Sequence, residues 1–568
     1  MKYAIDKIKG QILEQIAHAI DRDLSNAKID FEVPPNPEMG DLAVPCFYFA
    51  KLIGRSPNQI AQEIKEAIPT GGIIKSIQNV GPYLNFFLDA SVLSRMILPG
   101  VLKEKEDYGQ LNISHDQIMI EYSQPNTHKE FHIGHSRNVF LGGSLINLFR
   151  FCGYKVTAVN YLGDIGSHVA KCLWALDKFH SHDELPENKG KYLGQIYTEA
   201  VQKIEANPEY KKEADEVLQK LESGDKKWMT LWQKTRKWSL DQFNYIYKLI
   251  GAEFDDVFYE SEVEKPGKKV VADLLARGIA EKSQGATIID LEKYNLKQFL
   301  LLKSDGSSLY STKDIALAQL KFKKYKKIKE SLVVVDSRQS FYFQQLFQTL
   351  KIMGFNEKLV HVPYEFVTLK EGAMASRAGN AVLFEDFYNE VVTRAISETS
   401  KRHTDWTEKK IKTTAQKIAL AAIKFNMLKV GNNSVITFDI EEALSFDGYS
   451  GPYIQYTCSR INSLLKKGKN AYSGAEYAKL NQEIEKTLML KIADFSVEVK
   501  KAIEELEPSV IAKYLFELSR IFSNFYQKVP ILSAEADTKR ARLALCFATG
   551  QTLKNGLKLL GIESLKEM

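Results

Sequence analysis

Ser123-Gln-Pro-Asn-Thr-His-Lys-Glu-Phe-His-Ile-Gly-His135 lies between a β-rich apolar run, residues 117–122, and a stretch of helical periodicity, residues 134–151. Gly153 then stands where a helix C-cap would, and residues 155–161 read as a strand again. Strand, loop, helix and strand in that order make a βαβ unit, which implies a parallel sheet and a right-handed crossover. In an open sheet of this kind ligands bind beyond the carboxyl ends of the strands. The N-terminus of the crossover helix offers free amide donors to a phosphate there. His132 and His135 are three residues apart at this helix entry and are expected to share one face. Gly134 between them leaves space for a planar base against the backbone. Two imidazoles and a helix dipole suit the stabilisation of charge on a reacting phosphate without a covalent intermediate. A lone H-x-x-H is more often an accidental pair or a metal site, but no third ligand candidate follows at metal spacing.

Around this unit the chain runs to 568 residues, too long for one ordinary core, and its length alone predicts roughly three or four domains. Its composition, 44% apolar and 26% charged, is that of a soluble globular protein. No apolar run is long enough for a membrane helix. The N-terminal residues alternate apolar, charged and amide side chains at helical spacing, without the apolar stretch of a signal peptide, and read as an amphipathic helix of the mature protein. Five scattered cysteines, never paired as C-x-x-C, argue against a disulfide framework and against a structural zinc site, and fit a reducing cytoplasm. The net charge of +6 permits a polyanionic partner without demonstrating one. Lysines 321, 323, 324, 326, 327 and 329 form a local cluster that reads most simply as a solvated helix face.

The predicted organisation is a multidomain α/β protein. Residues 1–112 form a small α+β domain. Residues 113–395 hold a Rossmann-type parallel sheet, interrupted by a charged, Trp-rich helical insertion at about 170–265. Alternating patterns resume at 286–291, 298–302 and 332–336, and residues 396–568 form an all-α bundle.

Residues 132–135 match the HIGH signature of class I aminoacyl-tRNA synthetases. The longer string, Glu121-Tyr-Ser-Gln-Pro-Asn126 with Lys129 and then HIGH, resembles the arginyl members of that class. Asn160-Tyr-Leu-Gly-Asp-Ile-Gly166 is similar to the family's segment at the end of the next strand, and the resemblance extends over essentially the whole chain. It implies a role for each of several residues. Tyr310 and Asp314, at i and i+4 in Leu309-Tyr-Ser-Thr-Lys-Asp314, would meet the substrate side chain together with Glu260. A buried guanidinium needs such acceptors. Glu121, Ser123, Asn126, His135 and Gln339 would hold the amino acid's backbone end. ATP, as its Mg²⁺ complex, would lie on His132, Gly134 and His135.

The family's second signature, KMSK, is degenerate here as Ala373-Met-Ala-Ser376. Met374 and Ser376 keep the frame for ATP, and Arg377 is expected to take over part of the missing lysines' charge. Lys129, three residues before His132, is expected to take the rest. Gly81-Pro-Tyr-Leu-Asn-Phe86 is similar to the family's N-terminal module that touches the tRNA elbow. Tyr83 and Asn85 would share one face of a strand there. Tyr453 and Gln455 would lie near the anticodon loop in a bundle similar to the family's. These resemblances imply ligation of L-arginine to tRNA-Arg with ATP by a cytoplasmic monomer. A same-class enzyme for another amino acid, or a non-catalytic tRNA-binding paralogue, are the alternatives.

Overall fold

The computed structural model describes residues 3–24, 27, 29–370 and 382–568. Its central sheet has five parallel strands: β1 (Gln117–Glu121), β2 (Lys155–Leu162), β3 (Asp256–Tyr259), β4 (Ile328–Asp336) and β5 (Lys358–Tyr364). Their spatial order is β5-β4-β1-β2-β3. Ile118, Met119 and Ile120 are consecutive and all buried, the mark of a strand covered on both faces. From β1 the chain winds to β2 and β3 on one side, then returns to β4 and β5 on the other. The order therefore reverses between β1 and β4, and a crevice opens outside their carboxyl ends. Four helices border it or support it: α1 (Ile133–Phe151), α2 (Lys226–Ile250), α3 (Tyr310–Lys324) and α4 (Ser340–Ile352).

One expectation about the middle of the chain, the extent of the insertion, needs correcting. Helices Ser167–Phe179, Lys189–Ala206 and Glu209–Ser223 do close a core of their own around Trp174, Leu193 and Trp228. The span does not reach 265, because Phe243, Ile246, Tyr247 and Ile250 of α2 pack into the main core and β3 is an edge strand of the sheet. A helix of 25 residues is long enough to serve both bodies, which composition alone does not reveal. The runs at 286–291 and 298–302 stay off the parallel sheet. Ala286–Asp290 and Gln298–Leu302 join Glu281–Ser283 in a separate antiparallel sheet. Alternation identifies a strand but not its partner.

In the N-terminal part, helix Ala4–Ala19 buries Ile5, Ile8, Ile12 and Ile16 at helical spacing against a three-stranded antiparallel sheet and the helices around it. The C-terminal part is helical, and the same continuous core runs through both and beneath the parallel sheet. Polar bonds cross these boundaries. Lys486 pairs with Asp41 at 2.9 Å, both buried, and Asn555 donates to the carbonyls of Lys105 and Tyr108. Among the described residues no helix is long and apolar enough to cross a membrane, and the five cysteines are buried and unpaired.

Candidate active site

The loop between β1 and α1 holds three non-glycine residues at positive φ: Ser123 (80°), Gln124 (48°) and His128 (63°). Such backbone costs energy unless its surroundings enforce it. Here buried side chains do. Asn138 of α1 accepts from the Ser123 N–H, Asn160 of β2 from Gln124 at 3.0 Å, and Ser239 of α2 from His128 at 2.9 Å. The His128 ring is bound between the Thr127 and Thr235 hydroxyls and is fully buried. Burial pulls its pKa to about 3, so it is a neutral structural residue.

His132 and His135 are arranged differently from two neighbours on a helical face. His132 is the N-cap of α1, and its Nδ1 accepts from the Gly134 N–H at 3.1 Å. The Nδ1 of His135 accepts from the His132 N–H, also at 3.1 Å. The rings stack with centroids 3.7 Å apart. A Cβ on Gly134 would come within 3.0 Å of the His132 ring, so the glycine lets that ring fold over it. Burial, aided by Lys129, lowers His132 to about 4, and burial lowers His135 well below its usual value. Both are therefore neutral at pH 7, and with Nδ1 occupied as an acceptor each carries its proton on Nε2. Their contribution is two oriented N–H donors rather than two cations.

A cavity of about 1110 Å³ occupies the crevice at the switch point. Its walls include Glu121, Ser123, Asn126, His132, Gly134, His135, Glu260, Tyr310, Asp314 and Gln339. Helix α3 begins at Tyr310, so Tyr310 and Asp314 stand one turn apart facing the cavity, Tyr310 largely exposed. Asp314 accepts from the Tyr342 hydroxyl of α4. Burial raises the Asp314 carboxyl to about 7, with the Tyr342 bond opposing and nearby Glu260 adding to the rise. Glu260 opens the helix after β3 and accepts from Lys313 Nζ at 2.8 Å. The hydroxyl of Tyr161, another wall residue, is buried and without a partner among the described residues. Asn126 is fitted against Gly163, where a Cβ would fall 2.1 Å from its Oδ1.

Other expected residues have different surroundings. Glu121 is buried and paired with Lys321, which is itself a wall of the cavity, and Glu121 also accepts from Gln124 at 3.1 Å. Lys321 is thus no part of a solvated lysine face; desolvation pulls it to about 7 while the carboxylate in contact opposes that. The Ser123 hydroxyl is bonded to the Tyr247 hydroxyl at 2.8 Å, which ties the loop to α2. Lys129 stands outside the large cavity, half-buried, 5.1 Å from the Tyr197 ring centroid and with no ion pair among the described residues. Burial first, then Lys171, lowers its pKa.

Asn85 is buried behind Gly40, and Gln455 is fully buried with its amide donating to the Glu563 carbonyl at 2.7 Å. Neither presents its side chain at the surface. Tyr83 keeps a partly exposed ring against the exposed Phe47, and Tyr453 bonds Ser523. Met374, Ser376 and Arg377, with the rest of the second signature, lie outside the described residues. Tyr342, Tyr247 and Asn138 went unrecognised in the sequence because single polar residues on apolar elements carry no local pattern, and Asn160 stood in a quoted segment without a role. Lys313 lies inside the quoted 309–314 string and could have been flagged as a cation beside its acids.

Comparison with known proteins agrees with this fold. The family model for the catalytic domain of class I (R) tRNA synthetases matches residues 97–439. Residues 6–88 match the arginyl tRNA synthetase N-terminal domain, and 454–568 the DALR anticodon binding domain. An arginine–tRNA ligase of Clostridium beijerinckii is 34% identical over 99% of this chain and 100% of the relative. One of Bdellovibrio bacteriovorus is 37% identical over 94% and 93%. The Thermus thermophilus arginyl-tRNA synthetase superposes with a TM-score of 0.81 at 27% identity, covering 98% of this chain and 99% of that one. With three domain models in order along the chain and relatives matched from end to end, the chain belongs to the arginyl-tRNA synthetases of class I.

Proposed function

We propose that this chain ligates L-arginine to tRNA-Arg at the expense of ATP, in two steps. What supports the reading most is that Glu260, Tyr310 and Asp314, expected at the guanidinium, Glu121, Asn126 and Gln339, expected at the amino-acid backbone, and His132, Gly134 and His135, expected at the nucleotide, border one cavity at the switch point of the sheet. Asp314 and Glu260 are acceptors for a cation with five N–H donors, and Tyr310 closes over it. Asn126 and Gln339 bind the amino-acid end. An oxygen of the arginine carboxylate attacks the α-phosphorus of Mg·ATP in line, the bond to the bridging oxygen breaks, and diphosphate leaves. His132 and His135 donate from Nε2 to the phosphate oxygens as charge grows there, alongside the free amides of α1. Lys129 supplies the full positive charge. In the second step the 2′-OH of the terminal adenosine attacks the adenylate carbonyl and AMP leaves.

The partly exposed Tyr83 with the exposed Phe47, centroids 6.2 Å apart edge to face, suits stacking on a splayed tRNA base. Tyr453 serves the anticodon end. The enzyme acts as a cytoplasmic monomer in this reading. Arginine-dependent ATP–pyrophosphate exchange, with and without tRNA, is the test; absence of exchange in both refutes it. Equal charging with lysine or citrulline would refute the choice of arginine.

A further inference from the structure

Lys313 is buried between the two substrate-facing residues of α3, yet it is not a wall of the cavity. Its ammonium reaches Glu260 from behind, 2.8 Å from Oε2. The other oxygen, Oε1, accepts no hydrogen bond from a described residue, and Glu260 itself borders the cavity. We propose that Lys313 is a positioning residue for arginine selection: it fixes the Glu260 carboxylate by one oxygen and leaves the other for the substrate guanidinium. This rests on the reading that Glu260 meets that guanidinium.

The argument is one of charge in a dry site. The groups facing Glu260 are Tyr310, Lys313 and Asp314 of α3, Tyr342 of α4, Tyr161 of β2, Asp164 beyond β2, and Glu264 on its own helix. Asp164 is taken up by Arg236 at 2.8 Å and by Ser261. Among the described residues Lys313 is therefore the one cation that reaches Glu260, in a setting where burial and neighbouring carboxylates favour the protonated acid. A protonated glutamic acid would turn an O–H donor toward a ligand whose side chain has only donors. With Lys313 in place and Asp314 ionised by the arriving substrate, Glu260, Asp314 and Lys313 together carry one net negative charge, which matches a single guanidinium. The lysine does not compete with the substrate because it enters from outside the cavity.

The test is a double-mutant cycle on the full chain with tRNA present, using K313M, K313R, E260Q and K313M/E260Q, with steady-state kinetics from pH 6.5 to 9. K313M is expected to raise the arginine KM about tenfold or more at neutral pH and to leave the ATP KM within about twofold. The deficit should shrink toward pH 9, because an unpaired Glu260 regains its charge as pH rises. K313R should keep most of the affinity, and K313M should add nothing in the E260Q background. An additive or pH-independent effect, or an ATP KM that rises in parallel, overturns the proposal. If E260Q raises the arginine KM and K313M does not, the role of Lys313 alone falls. If E260Q changes nothing, the pocket assignment falls with it. K313Q carries the same expectations should K313M fail to fold.

Discussion

At Asp314, burial raises the carboxyl to about 7 while Tyr342 holds one of its oxygens. An arriving guanidinium needs the ionised form, so binding at neutral pH has to expel a proton. The arginine KM should therefore climb as pH falls through 7, by up to ~10-fold per unit, and level off above it. The effect on stability has the opposite sign. A carboxyl raised in the folded state holds its proton more tightly than the unfolded chain does, so it favours the fold at acid pH, and that contribution fades as pH rises through 7. Asp314→Asn should raise the arginine KM steeply, remove its pH slope, and leave the ATP KM nearly unchanged. Arginine KM profiles of both proteins from pH 5.5 to 8.5 would check this, and equal slopes would remove Asp314 from the pocket. The spacing of Tyr310 and Asp314 was legible because one helical turn is a local property. The tyrosine that tunes Asp314 was not, since it arrives on a different helix. The same contrast holds for the signature histidines. Their presence is written in four letters, whereas their neutral state and Nε2 tautomer follow from burial and from two backbone bonds at the helix entry.

At the scale of elements, the βαβ unit could be read almost to the residue: β1, α1 and β2 follow the periodicities of residues 117–161. Long-range pairing is where reading stopped. The antiparallel sheet at 281–302 and the return of α2 into the main core both depend on which surfaces meet, and periodicity carries no such information. The helical module offers a case with a consequence for activity. Helix Lys189–Ala206 brings the half-buried Tyr197 ring to Lys129, and an ammonium over an aromatic face is attracted without being neutralised. Lys129 is thus held near the histidines with its charge uncancelled by any described acid. Lys129→Ala should slow adenylate formation by ~10²-fold or more, as loss of one transition-state donor does, with the arginine KM little changed. Pyrophosphate exchange would measure it, and an unchanged rate would make Lys129 a packing residue of the module.

Across the whole molecule, the signature helix is tied to the C-terminal part by several side chains: Ser144 and Asn147 donate to the carbonyls of Leu559 and Lys558, and Arg137 makes the largest set of bonds. Arg137 of α1 is 2% exposed, and its guanidinium donates to the carbonyls of Glu365, Phe366, Gly431, Asn432 and Ser434. Glu507, at the turn between helices Phe495–Glu504 and Ser509–Lys528, accepts from the Asn432 N–H at 3.0 Å. Burial lowers the Arg137 pKa to about 10, which leaves it charged at neutral pH. Two segments far apart in sequence are gathered on one planar fork, and the first continues into Phe366 to Lys370, a wall of the cavity flanking the histidines. The carbonyls of Phe366, Gly431 and Asn432 also accept from backbone N–H groups, so Arg137→Met would take the donor away from the Glu365 and Ser434 carbonyls, each such loss costing at most roughly 1–3 kcal/mol. The melting temperature should fall by several degrees. The ATP KM should rise more than the arginine KM, because the guanidinium acceptors belong to α3 and to the helix after β3, which Arg137 does not touch. Arg137→Lys keeps the charge but lacks the fork, so it should fall between the two. Calorimetry with separate ATP and arginine titrations decides the matter: a loss of stability with both KM values unchanged would make Arg137 a fold residue only, while a selective rise for ATP would show that its guanidinium helps to hold the nucleotide end of the site in register.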